Sequence, residues 1–205
     1  MGQQIIYPIN EIFYSIQGEG YHAGKAAIFI RFAGCNLNCE WCDTDHSEKM
    51  KLTIPQIFYE ITNNFSRKPE FEKDPYFIVL TGGEPTIYDL SYLLRAFKRR
   101  LPSHTIALET NGTKPEILGT LKELNLLDWI TISPKLEKPK FASLKYADEI
   151  KVVYDGIINP WDYGDAHKHL YIQPCSENFQ PAIDFVLKNP QWRLSIQMQK
   201  VLKIK

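Results

Sequence analysis

The sequence predicts an α/β fold, an incomplete (β/α) barrel with a mostly parallel sheet of about six or seven strands. Three observations carry this expectation. Short segments rich in β-branched and aromatic residues alternate with amphipathic helical segments, the pattern of βαβ units. The chain has 205 residues, whereas a complete eightfold barrel typically needs about 250. Two of the expected connections carry no clear helical pattern. With no internal repeat and no low-complexity tract, residues 1–205 read as one domain.

The elements follow in order. The first strand covers residues 27–32, where Ile28, Phe29, Ile30 and Phe32 flank Arg31. A cysteine-bearing loop follows. Thr53 can cap a helix that carries Ile54, Ile57, Phe58 and Ile61 on one face. Residues 66–74 are charged, bear a proline and read as a linker. A second strand at 76–80 leads to a helix at about 87–100, with Leu90, Leu93, Leu94 and Phe97 apolar. The third strand is 105–108 and its helix about 114–124; the fourth strand is 129–132. Residues 133–145, rich in Lys and Pro, read as a loop in place of a helix. The fifth strand is 149–153, and 155–168 carries Gly and Pro and reads mostly as loop. The sixth strand is 170–173. Ser176 is then expected to cap a helix carrying Phe179, Ala182, Ile183, Val186 and Leu187, before a last strand at 193–197.

Composition narrows the function classes. Lys plus Arg total 24 and Asp plus Glu total 24, a net charge of zero. That argues against a general nucleic-acid binder, which carries a basic excess, but leaves room for a local cationic pocket. No apolar run approaches the ~20 residues of a membrane-spanning helix. The first residues lack the basic and apolar blocks of a signal peptide. The expectation is a soluble cytoplasmic protein with no membrane partner.

In such barrels the chemistry sits at the C-terminal ends of the strands. Five unusual segments fall there: the cysteine loop, Thr81 to Pro85, Glu109 to Gly112, Ser133 to Lys135, and Gln173 to Cys175. The sharpest is Cys35, Cys39 and Cys42 in C-x3-C-x2-C spacing. A [4Fe–4S] cluster normally takes four thiolates, so three leave one iron open to an outside ligand. Zinc is the competing reading, with Cys175 or His46 as a fourth ligand. Cys175 otherwise reads as a buried core thiol without a role.

The C-x3-C-x2-C spacing with Trp41 before the last cysteine resembles the radical S-adenosylmethionine (SAM) enzymes. The resemblance implies a [4Fe–4S] cluster whose open iron binds SAM. Its reductive cleavage then yields a 5′-deoxyadenosyl radical, and the protein orients and shields the chemistry. Gly82-Gly83-Glu84-Pro85 resembles the second motif of that superfamily, in which backbone and carboxylate hold the methionyl ammonium. Its glycines would let the backbone approach the ligand closely.

Residues 13–20 (Phe-Tyr-Ser-Ile-Gln-Gly-Glu-Gly), Arg31 and Cys42-Asp43-Thr44 closely resemble the 7-carboxy-7-deazaguanine synthases. Later segments agree, from Leu80 to Thr86, Leu108 to Thr113, and Leu194 to Gln197. This resemblance implies ring contraction of 6-carboxy-5,6,7,8-tetrahydropterin to 7-carboxy-7-deazaguanine with loss of ammonia, on the route to queuosine and other 7-deazapurines. It also implies Mg²⁺, a homodimer and an electron donor such as flavodoxin or ferredoxin.

For the substrate, the resemblance implies Ile16, Gln17, Gly18, Arg31 and Thr81. Gln17 can read an amide edge through donor and acceptor, and Arg31 suits a carboxylate. Glu19 either contacts the polar edge of the substrate or braces the turn. Trp41, Cys42, Asp43, Gly83, Ser133, Pro134, Lys135 and Gln173 are implied for SAM, with Glu84 on its ammonium and Glu109 and Asn111 reaching its ribose. Lys135 would pair with the SAM carboxylate. Thr44 is implied for Mg²⁺, shared with the substrate carboxylate, and Asp43 for a metal-bound water. One departure stands out: Gln199 replaces an expected His near the substrate. A carboxylate at Lys205 is expected to reach the pocket. Two alternatives remain, a glycyl-radical activase with a protein substrate and a non-catalytic zinc- or cluster-binding module.

Overall fold

A computed structural model describes residues 4–65, 75–135, 143–164 and 169–205. The expected linker at 66–74 and parts of the two expected loops, 136–142 and 165–168, lie outside the described residues. Nine strands form one sheet: β1 (Ile6–Ile16), β2 (Ala26–Phe32), β3 (Met50–Thr53), β4 (Phe77–Gly82), β5 (Thr105–Thr110), β6 (Trp129–Ile132), β7 (Glu149–Tyr154), β8 (His169–Pro174) and β9 (Trp192–Leu194). Their order is β3-β1-β2-β4-β5-β6-β7-β8-β9, so among the described residues β3 and β9 are edges and the sheet does not close. From β2 and β4 onward every pairing is parallel, as the alternating pattern predicts.

The sequence pattern misses two strands, both antiparallel: β1 pairs with β2 on one side and β3 on the other. β1 carries Pro8, Asn10 and Glu11, which obscure its alternation, and β3 has four residues. The last strand is shorter than expected, ending at Leu194.

The helices are α1 (Ile54–Phe65), α2 (Ser91–Arg100), α3 (Pro115–Glu123), α4 (Trp161–Gly164), α5 (Phe179–Lys188) and α6 (Met198–Leu202). Thr53 caps α1 as expected: Gln56 Oε1 accepts from Thr53 N at 2.9 Å, and Thr53 Oγ1 accepts from Gln56 N at 3.4 Å. α2 starts later than the predicted 87, because Pro85–Ile87 forms a separate 3-10 turn. Ser176 does not cap α5. It lies in the turn Cys175–Glu177 with φ 49°, and Asn178 stands at the helix N-cap. Leu187, expected on the apolar face, is 77% exposed. One helical turn, α4, interrupts the loop expected at 155–168.

Strand alternation sorts the residues into two faces. Ile28, Ile30, Phe32, Ile78, Leu80, Ile106 and Leu108 pack outward in the main core with residues of α1, α2 and α3. Phe29, Phe77, Val79 and Ala107 form a small apolar plug facing inward with Phe13. The next inward positions toward the C-terminal strand ends are polar: Arg31, Thr81, Glu109 and Thr131. Register brings them to one level, since Arg31 pairs with Thr81, Leu80 with Leu108, and Glu109 with Thr131. The parallel sheet therefore stacks a polar floor on an apolar plug.

Candidate active site

Above that floor is a cavity of about 460 Å³. It gathers nearly all the residues singled out in the sequence, and its two walls are built differently.

One wall rises from the N-terminal segment, β5, β7 and the C-terminal residues. Gln17 Nε2 donates to Glu109 Oε1 at 2.9 Å, and Thr81 Oγ1 donates to Glu109 Oε2 at 2.8 Å. Glu109, expected at the SAM ribose, thus braces two expected substrate residues. Glu19 adopts the bracing role: Oε1 accepts from Gln197 Nε2 and Gln199 Nε2, both at 2.9 Å, and Oε2 pairs with Lys151. Gln199, in place of the expected His, donates to this carboxylate. Gly18 packs so closely on it that an added Cβ would meet Gln199 Oε1 at 1.8 Å. Ile16, Arg31 and Lys205 complete this wall. A main-chain oxygen of Lys205 accepts from Ser15 Oγ, as the expected reach of this group into the pocket requires, while its ammonium meets Glu11 at 2.8 Å.

Lys151 escaped the sequence reading. Its setting among Ile150, Val152 and Val153 matches the signal that singled out Arg31. It is 6% exposed. Burial would lower its pKa, yet Glu19, Glu109 and Glu149 hold it well above the usual lysine value. Burial would likewise raise Glu19, but Lys151 and the two glutamine amides hold it well below the usual carboxylate range. Glu149, below Lys151 on β7, is pushed up to about 7 by burial, against the pull of Lys151 and the Tyr21 N–H. Gln197, Lys200 and Cys175 also line the cavity without having been singled out for it. Cys175 is half-buried at this wall rather than sunk in the core.

The opposite wall is the cysteine loop. Cys35, Cys39 and Cys42 all line the cavity as free thiols, with Trp41, Asp43 and Thr44 beside them. Asn36 ties the loop to the segment after β5: its Oδ1 accepts from Asn111 Nδ2 at 3.0 Å, and its Nδ2 donates to Thr113 Oγ1 at 2.8 Å. Asn111, expected at the ribose, is thereby a tether on the cavity wall. Lys135 donates to Ser133 Oγ at 2.8 Å and stands 4.9 Å from the Trp41 ring centroid. Burial and Lys151 push Lys135 down to about 8, while Glu19, Cys39 and Cys42 oppose the shift. Gln173 lines the cavity nine-tenths buried, and among the described residues its Oε1 has no hydrogen-bond partner. Asp43 pairs with Lys200, and Thr44 Oγ1 lies 3.5 Å from Asp43 Oδ1.

Two expectations are corrected. Glu84 is fully buried and does not line the cavity. Its oxygens accept from Thr86 N, Thr86 Oγ1, Thr110 Oγ1 and Asn111 N, at 2.5–2.9 Å. Oε1 takes three of these bonds and Oε2 the one from Asn111 N, so the carboxylate braces the turn beneath the cavity. Pro134 is buried beside the cavity rather than on its surface. The motif glycines also serve the chain itself: a Cβ at Gly83 would stand 2.0 Å from Gly34 O, and Glu84 N donates to that oxygen at 2.9 Å. Gly83 lines the cavity while letting the second motif lie on the base of the cysteine loop.

The donor set fits the implied cofactors. Three free thiols on one loop beside a lysine suit an anionic cluster with one open iron. Among the described residues, no three His, Cys, Asp or Glu groups gather as one metal ion requires; a cubane asks instead for one thiolate at each of three irons. The unpartnered Gln173 amide oxygen and Lys135 offer an acceptor and a cation for a polar ligand beside the loop.

Comparison with known proteins agrees with this geometry. The radical SAM superfamily model matches residues 29–154, which hold the cysteine loop, Gly82 to Pro85 and the sheet from within β2 to the end of β7. The 7-carboxy-7-deazaguanine synthase of Bacteroides thetaiotaomicron is 40% identical over 199 residues, covering 96% of this chain and 98% of the relative. That of Flavobacterium psychrophilum is 35% identical, covering 96% and 92%. The crystal structure of QueE from Escherichia coli superposes with a TM-score of 0.66 at 25% identity, covering 94% of each chain. Identity at this level along nearly the whole length, with the thiol triad and the polar floor facing one cavity, means that the chain belongs to the 7-carboxy-7-deazaguanine synthase family of radical SAM enzymes.

Proposed function

We propose that the chain converts 6-carboxy-5,6,7,8-tetrahydropterin to 7-carboxy-7-deazaguanine with loss of ammonia, in queuosine and 7-deazapurine biosynthesis. The observation that carries this reading is the pairing of walls: a three-thiol loop faces Gln17, Thr81 and Arg31 across about 460 Å³. A cavity of that size suits a small heterocycle and gives no support to a protein substrate for an activase. Cys35, Cys39 and Cys42 would hold the cluster, which with SAM would supply the radical chemistry of the reaction.

The protein's own groups bind and shield. Arg31 takes the substrate carboxylate. The Gln17 carbonyl, the Glu109 carboxylate and the Thr81 oxygen present fixed acceptors to the amide edge of the ring, and the second hydrogen on Gln17 Nε2 is the donor. Lys135 pairs with the SAM carboxylate, Gln173 accepts from SAM, and Trp41 shields it. Thr44 would offer an oxygen to Mg²⁺, an ion that commonly uses one or two protein groups beside water and substrate oxygens. As a Lewis acid that ion would stabilise negative charge during rearrangement. A flavodoxin- or ferredoxin-type electron donor, a homodimer and a cytoplasmic location complete the reading; among the described residues no helix is long and apolar enough to cross a membrane.

The test is anaerobic reconstitution followed by turnover. Brown protein with about four irons per chain, product of the mass of 7-carboxy-7-deazaguanine, and deuterium passing from labelled substrate into 5′-deoxyadenosine are expected. A colourless zinc protein, or 5′-deoxyadenosine free of deuterium, refutes the reading.

A further inference from the structure

Arg31 does not stand alone on the cavity floor. β1 and β2 place Glu11 directly across from it in the antiparallel register. Glu11 Oε1 accepts from Arg31 Nε at 3.1 Å, and Glu11 Oε2 accepts from Lys205 Nζ at 2.8 Å. One carboxylate is therefore gripped from both sides. Phe13, two residues further along the same face of β1, lies against both cations: Arg31 Cζ is 5.6 Å and Lys205 Nζ 5.5 Å from its ring centroid. Phe13 is itself stacked on Phe29, with centroids 4.9 Å apart and planes 11° from parallel. All five residues line the cavity.

The chemistry of this group is specific. A guanidinium carries five N–H donors in a rigid plane. Glu11 takes the one on Nε and so fixes that plane. Among the described residues, Arg31 has no carboxylate partner but Glu11, which leaves its terminal nitrogens to a ligand. Among these side chains, two cations stand against one anion. Burial would raise the Glu11 pKa, but Lys205 and Arg31 bring it below the usual value, so it is ionised at neutral pH.

We propose that Glu11 is a positioning residue which, with Phe13, aligns Arg31 and Lys205 as a two-cation clamp for the substrate carboxylate. This rests on the reading that the substrate is a carboxylated pterin. It also fixes a sign. A Glu11 that merely occupied Arg31 would compete with the ligand, and its removal would tighten binding. A Glu11 that aims the clamp supports binding, and its removal weakens it.

The experiment measures anaerobic binding of two stable probes, 6-carboxypterin and pterin, to the reconstituted enzyme. Wild-type protein is expected to prefer 6-carboxypterin by about tenfold or more. Glu11→Gln keeps the shape and removes the charge. It is expected to lose most of that preference with pterin binding unchanged, and to raise KM for the tetrahydropterin with kcat within about twofold. Lys205→Met should lose a smaller part of the preference, and Glu11→Asp should restore part of it. Glu11→Gln binding 6-carboxypterin as tightly as wild type, or more tightly, overturns the proposal. If wild type binds both probes equally, the clamp falls and a pterin substrate stands. If it binds neither, the substrate reading falls and the clamp with it.

Discussion

The two walls of the cavity are held by different kinds of interaction. The substrate wall is a side-chain network with buried members: Glu109 bridges Gln17 and Thr81, and Glu19 gathers Lys151, Gln197 and Gln199. Its parts come from the segment after β1, from β4, β5 and β7, and from the C-terminal segment. The cofactor wall is a loop in which Cys42 is exposed and Trp41 is 38% exposed, tied by backbone turns, by Asn36 to Asn111 and Thr113, and by the Asp43–Lys200 ion pair. The difference teaches where pre-organisation comes from. Recognition of an uncharged ring edge needs donors and acceptors fixed before binding. A thiol loop is organised further by the cluster it binds, because metal–thiolate binding supplies ordering free energy.

The contrast breaks most visibly at Lys151. Lys151→Met leaves Glu19 buried without its cation, a loss of about 3–5 kcal/mol in chemical denaturation. Adding Glu19→Gln should recover much of that, because no uncompensated charge then remains. Full stability of the single variant would mean that the pair does not hold this wall.

A pH scan sharpens the same wall. The Glu149 carboxyl is raised from an ordinary 4.5 to about 7, so the folded state binds an extra proton between those values. Its contribution to stability is full below about 4.5 and fades as pH rises through about 7. Glu149→Gln removes that slope and should stabilise the protein at pH 8 by up to about 3 kcal/mol relative to wild type. Parallel stability curves for the two proteins across pH 4.5–8 would contradict this assignment.

The smallest effect belongs to the cofactor wall. Asn111→Ala removes the side-chain bonds to Asn36 and Thr113, about 1–2 kcal/mol. The cluster-free protein should be cleaved faster by protease within residues 35–46, with cleavage elsewhere unchanged. Equal cleavage in both proteins would show that the Asn111 tether does not hold the loop.

Much of this was legible in the sequence, for local reasons. The three cysteines carry their meaning in their spacing, and the parallel strands show as short β-branched runs between amphipathic helices. Arg31 and Thr81 could be placed because each sits on or just after a strand whose direction the pattern reveals. Glu84 was misplaced because its motif names a carboxylate but not its partners; Thr86, Thr110 and the Asn111 N–H claim it in the folded chain. β1 was missed because its inward face carries Glu11 where an apolar residue would mark a strand.

By itself, then, the sequence determined the ligand triad, the parallel architecture and the end of the sheet where chemistry gathers, since all three depend on neighbours a few residues apart. Tertiary structure alone decided which charges meet. Lys151 and Glu19 are 132 residues apart, and Lys205 and Glu11 are 194 apart. Their pairing depends on strand register and on the path of the C-terminal segment. The physical reason is burial: once the sheet curls, each charge left inside must find a partner near it in space, wherever that partner lies in the chain.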